Sequence, residues 1–117
     1  MVYKTEDFEQ LYVGQHGTVK IPTGWAFQPE QGYMLQLLQR SGLASKGLIC
    51  VGGIVDEDYI GEIVVIMLNT SDKPIRISNG DRVAQMALRH YYQGEFEIVD
   101  ELDKTERGLA GFGSTGV

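Results

Sequence analysis

Short segments rich in β-branched and aromatic side chains recur along this chain, with polar turn-forming residues between them. Such side chains fit the pleated surface of a strand, so the pattern argues for β-structure. It predicts strands at residues 18–21, 25–28, 33–38, 48–51, 63–69, 75–78, 82–88 and 96–99. Turn-forming residues separate them: Pro22-Thr23-Gly24, Pro29-Glu30-Gln31-Gly32, the run from Asn69 to Pro74, and Ser78-Asn79-Gly80-Asp81. No window of helical length carries an apolar period of 3.6, and one short helix at 41–46 is the most the pattern allows. Many short strands with turns between them predict an all-β sandwich, jelly roll or barrel. There is no internal repeat and no linker. Residues 100–115 turn polar and then glycine-rich, so this tail is expected to leave the core.

With 117 residues, 43% of them hydrophobic, the chain is expected to form one domain with a modest core. No apolar run reaches the roughly 18 residues of a membrane helix, and the opening MVYKTEDFEQ is too acidic for a secretory signal. The expected location is the cytoplasm, without a membrane partner. Cys50 is the single cysteine, and with only His16 and His90 beside it there is no zinc-type ligand cluster. Any metal would be hard and bound through oxygen. A net charge of −6 argues against a nucleic-acid partner, which needs many Lys and Arg contacts to phosphate. A bound phosphate would have to be met by a few placed cations.

Several polar clusters are not explained by alternation. Residues 40–47, RSGLASKG, break two apolar strands with a cation, hydroxyls and small residues. They suit a turn whose amides and Ser41 hydroxyl face an anion with Arg40 beside it; a plain polar surface turn fits them equally. Residues 52–62, GGIVDEDYIGE, place three acids and a tyrosine between two strongly apolar strands. This reads as a hairpin with a chemically loaded tip, or as a solvated acidic turn. Residues 79–85, NGDRVAQ, read as a turn entering a strand. Residues 111–116, GFGSTG, fit the GxGxxG pattern of dinucleotide sites. That pattern works through a following helix, and only Val117 follows it here.

Taken in order, RSGLASKG, GGIVDEDYIGE, GDRVAQ and RGLAGFGSTG resemble the motifs of the trimeric dUTPase family, the deoxyuridine triphosphate nucleotidohydrolases. GTVKIPTG at 17–24 resembles the strand and turn ahead of the family's second motif, and the likeness runs from about residue 17 to 117. The resemblance implies a β jelly roll that forms a homotrimer, with each active site built from three subunits. It implies a domain at 1–106 and an arm at 107–117 that closes over the nucleotide of a neighbouring subunit. The implied activity is hydrolysis of dUTP to dUMP and pyrophosphate.

The resemblance also assigns roles. Asp56 matches the aspartate that activates water, and Tyr59 the residue that packs on the sugar and leaves no room for a 2′-hydroxyl. The backbone from Gly52 through Gly53, Ile54 and Val55 would read uracil. Arg40, Ser41, Gly42, Gln85 and Arg107 would meet phosphates, with Phe112 stacking on the base and Gly113, Ser114 and Thr115 closing the arm. The implied cofactor is Mg²⁺, held mainly by triphosphate oxygens and water, with no protein ligand assigned. Asp58 is expected to be structural. Two departures from the family pattern stand out. An AGYDL-like first motif is not present whole, and Gln39 replaces the usual proline before Arg-Ser-Gly. The incomplete first motif leaves a second expectation open, that of a dUTPase-like nucleotide-binding or regulatory module with weak turnover.

Overall fold

Alternation in Glu62–Asn69 puts Ile63, Val65, Met67 and Asn69 on one face, and all four are buried. The same arithmetic runs through the strands that surround it. The computed structural model describes residues 2–4 and 10–113. Its strands are β1 (Val2–Lys4), β2 (Gln10–Val13), β3 (Thr18–Phe27), β4 (Tyr33–Gln39), β5 (Leu48–Val51), β6 (Ile54–Val55), β7 (Glu62–Asn69), β8 (Ile75–Ser78) and β9 (Ala84–His90). One helical turn, α1 (Ser41–Ala44), lies between β4 and β5. Every pairing is antiparallel. The strands form three sheets, in the orders β1-β3-β7-β5, β2-β8 and β6-β4-β9. The fold is all-β and jelly-roll-like, as the succession of short strands and turns predicts.

Where the sheets face one another, Val13, Ile21, Leu37, Leu48, Ile63, Val65, Met67 and Ile77 form a single apolar cluster. Burying each such side chain fully contributes about 1.5–3 kcal/mol, so this cluster holds the sheets together. Asn69 is the buried polar exception. Its carboxamide donates to the carbonyls of Val13 and Lys73, at 3.0 and 2.7 Å, and accepts from the Ser71 amide and hydroxyl, at 2.9 and 2.7 Å. Its hydrogen-bonding capacity is thereby used, and the β7–β8 turn is locked onto β2.

Three local expectations need correcting. Pro22-Thr23-Gly24 does not reverse the chain: β3 runs through it, with pairing to β7 shifting between Pro22↔Val64 and Ala26↔Glu62. The turn residues bond across the sheet instead. Thr23 Oγ1 donates to the Ile63 carbonyl at 2.7 Å, and the Gly24 amide donates to Glu62 Oε1 at 2.9 Å, giving a bulge rather than a hairpin. Residues 96–99 are not a strand, although their alternation suits one. Phe96 and Ile98 are 102% and 99% exposed, and no described strand pairs with them. Alternation marks a face that could be buried but does not supply the neighbour that would bury it. Finally, α1 is shorter than the expected 41–46, because residues 45–47 turn into β5.

Candidate active site

Pairing of β5 with β7, from Leu48↔Asn69 to Val51↔Ile66, makes residues 52–61 the tip of a hairpin. This tip lies on β4. The Gly53 carbonyl accepts the Leu37 amide at 2.6 Å, and β6 continues the pairing through Gln36↔Ile54 and Leu35↔Val55. Gly53 has to be glycine here, since a Cβ would collide with the Leu37 carbonyl. Residues alternate between facing a partner and facing away in antiparallel pairs, so bonding at Gly53 turns the Ile54 N–H and C=O outward. Because β6 ends its sheet, those two groups lie on a free edge.

That edge borders a cleft of about 220 Å³ lined by Gly52, Ile54, Val55, Asp56, Tyr59 and Glu62, with Leu37, Ile63 and Val64 behind. Asp56 sits in an exposed turn closed by the Tyr59 amide donating to the Asp56 carbonyl at 3.1 Å. The Tyr59 hydroxyl donates to the Glu62 carbonyl at 2.7 Å, laying the ring across Gly61. Its orientation is thus fixed from both ends while the residue stays 46% exposed. A carboxylate, a flat ring and an open backbone edge line this cleft, offering a proton acceptor, a flat apolar face and fixed hydrogen-bonding groups.

A second pocket, of about 560 Å³, gathers Arg40, Ser41, Gly42, Leu43, Ser45, Lys46 and Gln85. Arg40 is the N-cap of α1 with an extended backbone, and no side chain caps the helix there. The helix's first bonds run from the Ala44 amide to Arg40 and from Ser45 to Ser41, so the amides of Ser41, Gly42 and Leu43 lie before the first bonded turn. Space beside Gly42 is open. Gln85 arrives through β4–β9 pairing, opposite Leu38, and its amide nitrogen donates to the Gln39 carbonyl at 2.9 Å. Between these polar groups there is room for an anion. Arg40 and Gln85 also border a larger groove of about 720 Å³ beside the β8–β9 turn, floored by buried Ile21, Ile63 and Ile77.

The structure therefore brings Arg40, Ser41, Gly42 and Gln85 together in one pocket, and Ile54, Val55, Asp56 and Tyr59 in another, with Gly53 docking the second onto β4. The two share no lining residue. Arg107 and Phe112 line neither. Arg107 Nε donates to the Ala110 carbonyl at 2.6 Å within a local turn, Phe112 is 108% exposed, and Gly113 is exposed beside it. Ser114 and Thr115 lie outside the described residues. Sequence reasoning passed over Lys46 in the anion pocket, although a cation closing RSGLASK was the available signal. It also passed over Glu57 and Glu62, whose partners are distant in sequence. Among the described residues, no three His, Cys, Asp or Glu side chains cluster to hold a metal ion.

Comparison with known proteins identifies the family of the chain. The dUTPase family model matches residues 6–116. Deoxyuridine 5'-triphosphate nucleotidohydrolase of Desulfitobacterium hafniense strain DSM 10664 / DCB-2 is 45% identical over 113 residues, covering 93% of this chain and 75% of the relative. The enzyme of the same name from Helicobacter pylori strain Shi470 is 43% identical over 112 residues, covering 93% and 77%. Among solved structures, the dUTPase of Staphylococcus bacteriophage 80alpha with dUPNHPP superposes with a TM-score of 0.85 at 26% identity, over 99% of this chain and 86% of that one. On the family match and the identity over most of its length, the chain belongs to the dUTPase family.

Proposed function

We propose that this protein hydrolyses dUTP to dUMP and pyrophosphate. The observation that carries the reading is the placement of Asp56 at the lip of the 220 Å³ cleft, between the free backbone edge of Ile54 and the fixed ring of Tyr59. The outward N–H and C=O of Ile54 suit a uracil edge, which offers an acceptor and a donor side by side. Cytosine reverses that order at position 4, and buried polar groups reject a mismatched partner strongly. Tyr59 packs on the deoxyribose. Asp56 accepts a proton from a water aimed at the α-phosphorus. As the water oxygen bonds to phosphorus, the bond to the bridging oxygen of the β-phosphate breaks and pyrophosphate leaves.

The triphosphate fits the pocket of Arg40, Ser41, Gly42 and Gln85, where a guanidinium and open amides can hold an oxyanion. Among the described residues no three acidic, imidazole or thiol side chains gather into a magnesium cage. In this reading Mg²⁺ would come with the nucleotide, held by its phosphates and by water.

A homotrimer is part of this proposal. In this reading one subunit supplies the base cleft and its neighbour the anion pocket, two pockets that share no lining residue within one chain. The radius of gyration of 19.1 Å, against roughly 13 Å for a compact chain of this length, reflects a tail lying off the domain. Phe96 and Ile98 on that tail are apolar and uncovered, as a subunit contact would need. Residues 107–117 then close over a neighbour's nucleotide, Phe112 stacking on the base and Arg107, Gly113, Ser114 and Thr115 meeting the phosphates. Among the described residues no helix is long and apolar enough to cross a membrane, and the nucleotide pool of the cytoplasm is the proposed setting.

Pyrophosphate release tests the activity, with dUTP, dCTP, dTTP and UTP compared at saturating Mg²⁺. Turnover of dUTP far above the other three is expected; equal turnover of dUTP and UTP would overturn the role of Tyr59, and none at all would overturn the hydrolase. Light scattering at micromolar protein should give three times the chain mass.

A further inference from the structure

The hairpin tip is tied down at a point that the chemistry above does not use. Glu57 Oε2 accepts the backbone amide of Gly32 at 2.6 Å, joining the tip to the turn between β3 and β4, 25 residues earlier. Gly32 in turn accepts the Tyr91 amide on its carbonyl at 2.9 Å. Three segments distant in sequence therefore meet around one carboxylate. The turn itself is fixed: Gly32 has φ +89, a conformation other residues rarely adopt, and the Tyr33 amide closes it by donating to the Glu30 carbonyl at 3.1 Å. His90 supports it from the far side, its ring stacked at a tilt on Tyr33 with centroids 5.0 Å apart and edge-on to Tyr92 at 4.6 Å.

We infer that Glu57 is a positioning residue for Asp56, holding the residue 56–58 turn against the Gly32 amide so that the neighbouring carboxylate stays at the lip of the cleft. This rests on the hydrolase reading given above. Other parts of the base site have anchors of their own. Ile54 and Val55 are held by β4, and Tyr59 by its bond to the Glu62 carbonyl, so neither depends on Glu57. Among the described hydrogen bonds, the one from Gly32 to Glu57 is what ties residues 56–58 to the turn before β4. A charge-assisted bond from a backbone amide is strong enough to define one position of such a turn. The Tyr91 phenol bears on the same point: a hydrogen bond to Glu57, then burial and the negative charges of Glu57 and Asp56, hold its pKa above the usual phenol value.

Steady-state dUTP hydrolysis by the full chain, with Glu57→Ala, Glu57→Gln and wild type compared, tests the inference. In Glu57→Ala, kcat should fall at least tenfold while KM for dUTP stays within threefold, because base and sugar contacts keep their own anchors. Glu57→Gln should recover kcat to within threefold of wild type, since its amide oxygen still accepts the Gly32 N–H. A merely structural role would lower the melting temperature or raise KM and kcat effects together without rescue. Hydrogen exchange at the Gly32 amide supplies a readout independent of turnover: protection in wild type and Glu57→Gln, lost in Glu57→Ala. Wild-type kcat in Glu57→Ala would overturn the inference and leave the hydrolase standing. Wild type inactive on dUTP would overturn the hydrolase reading itself, and an unprotected Gly32 amide would remove the tie whatever the activity.

Discussion

Gln85 donates its side-chain amide to the Gln39 carbonyl at 2.9 Å, 46 residues away, at the point where β4 ends and the Arg40 cap begins. One N–H of the carboxamide is thus spent on orientation, which leaves the other N–H to face the anion pocket beside Arg40. Gln85→Ala removes a donor to a charged phosphate, a bond worth about 1.5–3 kcal/mol. The expected result is a rise in KM for dUTP of roughly ten- to a hundredfold, with melting temperature little changed because Gln85 is exposed. An unchanged KM would show that the residue braces Gln39 and touches no phosphate.

Asp56→Asn preserves shape and hydrogen-bond reach but cannot accept a proton at neutral pH. Binding of a non-hydrolysable dUTP analogue, measured by calorimetry, should stay within a few-fold of wild type. Hydrolysis should fall by about two to four powers of ten, the usual worth of a general base. Equal losses in both would assign Asp56 to the architecture of the turn.

Asn69 is the residue whose loss should most damage the fold. Asn69→Ala removes the donor from a buried bond to the Val13 carbonyl and one of the two donors to the Lys73 carbonyl, which keeps the Ser71 hydroxyl, and releases the β7–β8 turn. Leaving the Val13 carbonyl unpaired costs about 1–3 kcal/mol, and with the loosened turn the unfolding free energy should drop by about 2–4 kcal/mol. Urea denaturation with an unchanged slope would measure it. Asn69→Asp should do no better, because it keeps the acceptor for Ser71 but loses both donors.

Much of this fold was legible in the sequence, and the parts that were not share a cause. Residues 48–51 and 75–78 are strands to the residue, because a short apolar run in the first and alternation in the second are bounded by strong turn signals on both sides. The RSG, DEDY and DRVAQ motifs carried Arg40, Ser41, Gly42 and Gln85 of the anion pocket and Asp56 and Tyr59 of the cleft. Pro22-Thr23-Gly24 misled because its hydroxyl and amide bond to β7, some 40 residues downstream, a contact that local turn chemistry cannot register. The two-residue strand β6 and the Glu57 tie fail for the same reason: each exists only through β4 or the turn before it. For residues 96–99 the pattern identified an apolar face correctly, and the missing element was a neighbour to pair with.

Cys50 supplies a prediction about pH. Burial pushes its thiol above the ordinary value of 9.0, so folding favours the protonated form. The stability this contributes is fully present below pH 9.0 and is lost as pH rises through the folded value. Tyr91, raised above 10.0, acts with the same sign at higher pH. At pH 8 the thiol should react with an aromatic disulfide reagent several times more slowly in the folded protein than in urea. Comparison with Cys50→Ser across pH 8 to 10 should isolate its part of the stability curve.

Deleting Gly108 to Val117 tests the arm. In the described part of this segment Leu109 and Phe112 are fully exposed, and its hydrogen bonds there are local, from Ala110 to Arg107 and from Gly108 to Thr105. An arm with so few contacts adds little to the empty fold, so the truncated protein should keep its melting temperature to within a degree or two. Activity should nevertheless collapse. Loss of base stacking alone costs about 1–3 kcal/mol, and an open site leaves water around the triphosphate. Phe112→Trp should retain turnover better than Phe112→Ala, because the flat face does the stacking. The opposite pattern, a melting temperature lowered by several degrees with turnover per folded molecule preserved, would make this segment packing rather than a lid.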